Sequence, residues 1–176
     1  MQQDVNIIFC VDTSAFVDIY RYLIKFIPQL YSELDNLFNS GLLISHEIVY
    51  DEITTRSKKP DRLTKWILPK RAFFKEINLQ QTLLVSSIVQ RFPTLIHYNK
   101  EKNDADPWLV ATVLELKSYP DFFSTLYEYV IVSAESALIP NRLPAVCKHY
   151  SIRHMDINEF FSANGWSIQL QTTQNP

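Results

Sequence analysis

The stretch Val5-Asn6-Ile7-Ile8-Phe9-Cys10-Val11-Asp12-Thr13-Ser14 decides the fold. An apolar run rich in Val and Ile is closed by a carboxylate and two hydroxyls, and helical periodicity starts directly afterwards. Runs of this kind suit a strand buried on both faces, as in a parallel sheet. In open α/β sheets ligands bind outside the carboxyl ends of the strands, which is where Asp12 stands. Taken alone, Asp12 reads equally well as the cap of the helix that follows.

Downstream, strands and helices alternate. Phe16, Ile19, Tyr20 and Leu23 recur at helical spacing in a helix expected over Ala15 to Phe26, ended by Pro28. A second helix is expected from about Leu30 to Asn39, with Gly41 suited to its C-terminal cap. Leu42-Leu43-Ile44 reads as a short buried strand, and Ser45 as the N-cap of a helix over Glu47 to Thr55 that carries Glu47, Asp51 and Glu52. A helix at about Leu79 to Arg91 follows. Asp106 fits an N-cap and Pro107 the first position of the next helix, which holds Trp108, Leu109, Ala111, Thr112, Leu114 and Leu116. Tyr129 to Ser133 is a third buried strand, followed by Ala134-Glu135. A helix over Leu143 to Tyr150, a strand over Ile152 to Met155 and a helix over Ile157 to Asn164, stopped at Gly165, complete the series. The alternation implies an α/β fold, a three-layer α/β/α sandwich with a mainly parallel central sheet. It forms one domain over residues 1–166, with a polar tail at 167–176.

Composition removes several classes of function. A net charge of −2 gives no global sign of a polyanion-binding protein. The two glycines, Gly41 and Gly165, are far apart, so neither a P-loop nor a dinucleotide fingerprint exists. Cys10 and Cys147 are too few for a disulfide framework and lack CxxC spacing for zinc; a reducing cytoplasm is the expected compartment. No basic n-region precedes the first apolar run, and nothing approaches the roughly 18 to 20 apolar residues that span a bilayer. His46, His97, His149 and His154 show no metal-ligand spacing and read as core or surface residues.

One segment has a different composition. Between Arg56 and Lys75 there are eight basic residues against a single acid, Asp61, with Trp66, Phe73 and Phe74 interleaved. Residues 56–91 read as a helical excursion within the domain, since no linker-like composition flanks them. Lys58, Lys59, Arg62 and Lys65 are candidates for contacting nucleic-acid phosphates, and Trp66 or a Phe for stacking on bases. A helix with a solvated basic face and an apolar aromatic face explains the same residues.

Four acids fall at element junctions: Asp12, Glu52, Asp106 and Glu135. Crowded together they would repel and raise one another's pKa values unless a cation neutralised them. Oxygen-only donors favour Mg²⁺ or Mn²⁺ over zinc. Glu47 and Asp51 compete with Glu52 as surface charges, and Asp156 is an alternative to Glu135. Ser14 and Ser133 are candidates to orient the carboxylates, Ser133 reading equally well as a turn hydroxyl, and Asp104 reads first as a loop charge and second as a helper behind the ligands.

These junctions resemble the PIN-domain family, metal-dependent nucleases that include the VapC-type toxins. Val11-Asp12-Thr13-Ser14 looks like its opening motif, and Val49-Tyr50-Asp51-Glu52-Ile53 like its second-acid helix. Asp106-Pro107-Trp108-Leu109-Val110-Ala111-Thr112 is similar to its third-acid helix, and Val130-Ile131-Val132-Ser133-Ala134-Glu135 to its last motif. The ending from Ile152 to Trp166 resembles that of a stand-alone bacterial PIN subfamily. The fourth acid is Glu where the family often has Asp, and the basic excursion exceeds a compact PIN domain. The resemblance implies a Mg²⁺-dependent endoribonuclease acting on single-stranded or loop RNA and leaving 5′-phosphate and 3′-hydroxyl ends. It also implies a toxin role opposed by a protein antitoxin, and homodimers. A non-catalytic PIN-like module binding RNA or protein is the alternative. A phosphatase-like nucleophile at Asp12 ranks last, because Ser14 stands where a second Asp would be needed.

Overall fold

The computed structural model describes residues 6–20, 29–55, 59–96, 104–118 and 127–166. Five parallel strands form one sheet in the order β3-β2-β1-β4-β5: β1 Asn6–Val11, β2 Leu43–His46, β3 Phe74–Lys75, β4 Tyr127–Val132 and β5 Arg153–Met155. The helices are α1 Thr13–Asp18, α2 Leu30–Asn39, α3 Glu47–Thr54, α4 Arg62–Ile67, α5 Leu79–Arg91, α6 Asp106–Ser118, α7 Leu143–His149 and α8 Ile157–Ala163. Short 3₁₀ turns occupy Leu68–Phe73 and Pro93–Leu95.

The first apolar run is the central strand. Phe9 pairs with Leu43 on one side and Val130 on the other, and Val11 pairs with Val132. Alternating residues of β1 feed opposite faces. Phe9 meets Phe160 of α8 edge-on at 4.9 Å, while Cys10, on the other face, lies close enough to Cys147 of α7 for the two thiols to interact electrostatically. Both cysteines are free and buried, and burial raises both thiols, Cys147 to about 12. Helices thus cover both faces, as the alternation of elements implies.

Several boundaries differ from the sequence expectation. α1 begins at Thr13, two residues early, and continues as a π turn at Ile19 and Tyr20; Leu23, Phe26 and Pro28 lie outside the described residues. Ser45 is not the cap of α3 but the penultimate residue of β2, fully buried, its Oγ donating to the Val11 carbonyl at 2.6 Å. His46 caps instead, its Nδ1 accepting from the Ile48 N–H at 3.1 Å. The Leu109 N–H bonds the Ala105 carbonyl, so Asp106 is the first residue of α6 rather than its cap, and Pro107 the second. Gly41 and Gly165 sit just past α2 and α8 with φ of 73° and 68°, where a side chain is disfavoured.

The basic excursion adds an element that periodicity does not show. Phe74–Lys75 joins the sheet as its edge strand, Ser45 opposite Phe74. The interleaved aromatics are structural. Phe74 is buried. Trp66 packs on Phe16, Tyr31 and Phe38, and its Nε1 donates to Asp35 at 3.1 Å. A free stacking platform for bases is not what these rings form. The excursion is a packed part of the domain, and two of its cations are engaged: Lys70 with Asp35, Arg71 with Glu47.

Candidate functional site

The carboxyl ends of the central strands open into a cleft of about 360 Å³ lined by Asp12, Glu52, Asp104, Asp106 and Glu135, together with Thr13, Ser14, Asp18 and Arg142. All four junction acids therefore reach one cavity, from the end of β1, the middle of α3, the start of α6 and the loop after β4.

Asp12 is 5% exposed. Its backbone continues the ladder, the N–H donating to the Val132 carbonyl at 2.9 Å. Its Oδ2 accepts from the Ser14 N–H at 3.0 Å and the Ser14 hydroxyl at 2.5 Å. Capping and cleft lining thus hold together, since a carboxylate has lone pairs for both. Burial pushes the Asp12 pKa up, the bonds from Ser14 and Thr13 oppose that rise, and the charge of Glu135 adds to it.

The two hydroxyls after Asp12 organise the cleft further. Thr13 donates to Glu52 Oε2. Ser14 Oγ accepts from the Ala134 N–H at 2.9 Å, pinning the loop after β4 to the start of α1. Of the acids that compete with Glu52 on α3, Asp51 is exposed and Glu47 turns away to Arg71 and the Ile77 N–H. Against the upward push of burial, those two partners hold Glu47 below the usual carboxylate range.

Asp106 carries the clearest electrostatic signature. Burial is the largest cause and Asp12, Glu135, Glu52 and Asp104 follow, together pushing its pKa up to about 8. Four other acids of the cleft are near enough to repel it.

Glu135 is held from two sides. Its Oε2 accepts from the Leu143 N–H at 2.9 Å and its Oε1 lies 3.6 Å from the Arg142 guanidinium. Ser133 does not line the cleft. It is fully buried behind Glu135, where its Oγ accepts from the Glu135 N–H at 3.2 Å and pairs with His154 Nε2 at 2.8 Å. Burial lowers the His154 pKa. Asp156, the alternative to Glu135, is exposed and spent on capping α8, in a reciprocal box with Glu159.

The RNA-contact candidates lie elsewhere. Lys59, Arg62 and Lys65 are exposed on or beside α4 and do not line the cleft; Lys58 is outside the described residues. Thr13, Asp18 and Arg142 are lining residues the sequence reading did not single out. Asp18 was within reach, since it stands four residues after Ser14 on the same helical face. Arg142 had no local signal, because only the tertiary approach of α7 brings it to the cleft.

The donor chemistry fits a hard divalent cation: oxygen atoms only, with mutual repulsion that a cation relieves. Among the described residues, however, no group of three His, Cys, Asp or Glu side chains stands arranged to hold a metal ion. Glu52 and Glu135 are turned to Thr13, Leu143 and Arg142. Mg²⁺ keeps several waters and needs only one or two carboxylates directly, so a closed cage is not required.

No helix among the described residues is long and apolar enough to cross a membrane. No curated protein matches the chain. A crystal structure of VapBC2 from Rickettsia felis bound to a DNA fragment from their promoter is similar at 15% identity and a TM-score of 0.48, covering 85% of this chain and 98% of that one. Residues 9–168, which run from within β1 to beyond α8 and include all the acids of the cleft, match one family, and the chain belongs to that family, described as a domain of unknown function (DUF4411).

Proposed function

We propose that this protein is a divalent-cation-dependent endoribonuclease that cleaves single-stranded or looped RNA, and that it is the toxin of a toxin–antitoxin pair. One observation carries the reading: Asp12, Glu52, Asp106 and Glu135 come from four separate elements to one cleft at the carboxyl edge of a parallel sheet. The order of the four motifs along the chain, each on the element the PIN-domain resemblance assigns to it, supports it.

Asp12, Glu52, Asp106 and Glu135 would hold Mg²⁺ or Mn²⁺. When bound, such an ion activates water and neutralises charge developing on the phosphate. The chain's own groups prepare the site. Ser14 fixes the Asp12 carboxylate through two bonds, Thr13 turns Glu52 inward, and Ser133 holds the Glu135 backbone. Asp106 keeps its proton near neutrality until positive charge enters the cleft. Hydrolysis would leave 5′-phosphate and 3′-hydroxyl ends. Partners on this reading are the RNA substrate, a protein antitoxin and a second copy in a homodimer, and the compartment is the cytoplasm.

The decisive experiment is cleavage of RNA by the purified protein with Mg²⁺, with chelator, and with the Asp12→Asn variant. Activity is expected only for the parent with metal; equal activity of the variant would sink the assignment.

A non-catalytic RNA- or protein-binding module is the second reading, favoured by the internal engagement of Glu52 and Glu135. Thermal unfolding with Mg²⁺ separates the two. A working site gains stability as the ion binds the native state, by about 2.7 kcal/mol at a hundredfold excess over Kd; a degenerate one gains none.

A further inference from the structure

We infer that Arg142 is the residue that takes hold of a substrate phosphate in the cleft, and that Glu135 keeps it in reserve until a cation arrives. The inference rests on the reading of the cleft as a metal-dependent nuclease site and adds to it the contact that recognises the polyanion. A cleft walled by six carboxylates (Asp12, Asp18, Glu52, Asp104, Asp106 and Glu135) repels RNA, and among the described residues Arg142 is the single cationic side chain that lines it. The exposed cations of α4 lie outside the lining and cannot bridge that gap.

Three features of Arg142 suit the task. Its side chain is 45% exposed at the cleft, so the guanidinium already meets solvent where a phosphate would approach. Among the described residues its one ion pair, with Glu135 Oε1, is 3.6 Å long, well beyond the roughly 2.7–2.9 Å of a charge-assisted hydrogen bond. Its guanidinium only donates, so it has no part in satisfying the N–H groups at the start of α7. The backbone that presents it is fixed: Asn141 adopts the left-handed conformation with φ 60°, its carbonyl accepting from Thr94 Oγ at 3.1 Å, and the Leu143 N–H holds Glu135 Oε2.

The arrangement couples cation and substrate. Glu135 Oε1 serves either Arg142 or a cation, while Oε2 stays on the Leu143 N–H. Once Oε1 is drawn to positive charge, the guanidinium is released, and its planar fork matches phosphate oxygens in pairs. Each ligand then strengthens the binding of the other by the same factor.

The test compares parent, Arg142→Gln and Arg142→Lys. It uses fluorescence anisotropy with a labelled single-stranded oligoribonucleotide, in Ca²⁺ or Mg²⁺, and calorimetric Mg²⁺ titration without RNA. Arg142→Gln is expected to bind RNA about tenfold more weakly, the loss of one charge-assisted contact, with Arg142→Lys between it and the parent. The same Gln variant is expected to bind Mg²⁺ more tightly than the parent, because Glu135 is no longer paired and a like charge is gone. In cleavage assays the loss appears in KM more than in kcat. RNA affinity unchanged in Arg142→Gln, or Mg²⁺ affinity weakened in it, overturns the inference. If the parent binds Mg²⁺ and cleaves RNA while Arg142→Gln does so equally, only the role of Arg142 falls. If the parent neither binds Mg²⁺ nor binds RNA, both readings fall. Unchanged thermal unfolding of the variants confirms that they are folded, since a half-exposed ion pair contributes little to stability.

Discussion

At the residue scale Asp106 concentrates the tension of the cleft. Its folded-state pKa of about 8 stands far above the ordinary carboxylate value of 3.8, through burial first and the surrounding acids second. For such a group the folded chain binds more protons than the unfolded one between those two values. The stability it contributes is full below about pH 4 and is lost as pH rises toward 8. Asp106→Asn, which cannot ionise, should remove this part of the decline. In the metal-free protein at pH 8 the variant is expected to be more stable than the parent by about 1–3 kcal/mol, the scale of an uncompensated buried charge relieved. Urea denaturation of both proteins between about pH 5 and 9 checks this, and parallel pH profiles would refute it. On the proposed metal-dependent reading the cost has a use, because a carboxyl protonated at neutrality would release that proton when a cation entered, making metal binding steeper with pH.

At the scale of elements the junctions matter more than the elements they join. Ser14 links two of them: it donates to Asp12 at the end of β1 and accepts from the Ala134 N–H after β4. Ser14→Ala strips a partner from a buried carboxylate and releases that exposed N–H to solvent. It should cost about 1–3 kcal/mol in chemical denaturation and cut cleavage as well, whereas a simple surface hydroxyl would cost neither. Long periodic elements were legible in the sequence: α5 spans Leu79–Arg91 as its pattern implies, and the acids closing β1 and β4 were placed by the carboxyl-end rule. What periodicity could not show was decided by tertiary partners. β3 is two residues long, too short to alternate, and exists because Phe74 and Lys75 lie beside Ser45 and His46. Ser45, the better cap by preference, is taken by the Val11 carbonyl, and the neighbouring imidazole caps in its place. Arg142 was invisible for the same reason, whereas the four acids each announced themselves at a junction.

For the whole molecule the question is how a chain of net charge −2, with six of its acids lining the cleft, would hold the polyanion that the proposed function requires. The basic excursion divides into two parts. Trp66, Phe74, Lys70 and Arg71 are built into the fold, through Asp35, Glu47 and the aromatic cluster on Phe16 and Phe38. Lys59, Arg62 and Lys65 stay exposed. If those three track the RNA backbone away from the cleft, they act through charge alone, while the chemistry remains with the acids. The combined variant Lys59→Gln, Arg62→Gln, Lys65→Gln should then weaken binding of unrelated single-stranded RNAs to a similar degree. It should also flatten the dependence of log affinity on log salt by up to about 2, at roughly 0.7 per neutralised phosphate. kcat at saturating RNA should be unchanged, because none of the three reaches the cleft, and stability should shift by less than about 0.5 kcal/mol, as for surface sites generally. A salt series of anisotropy titrations with parent and variant reads the slope directly. An unchanged slope would mean that α4 presents a solvated face and no more, and that the RNA is held by contacts at the cleft itself.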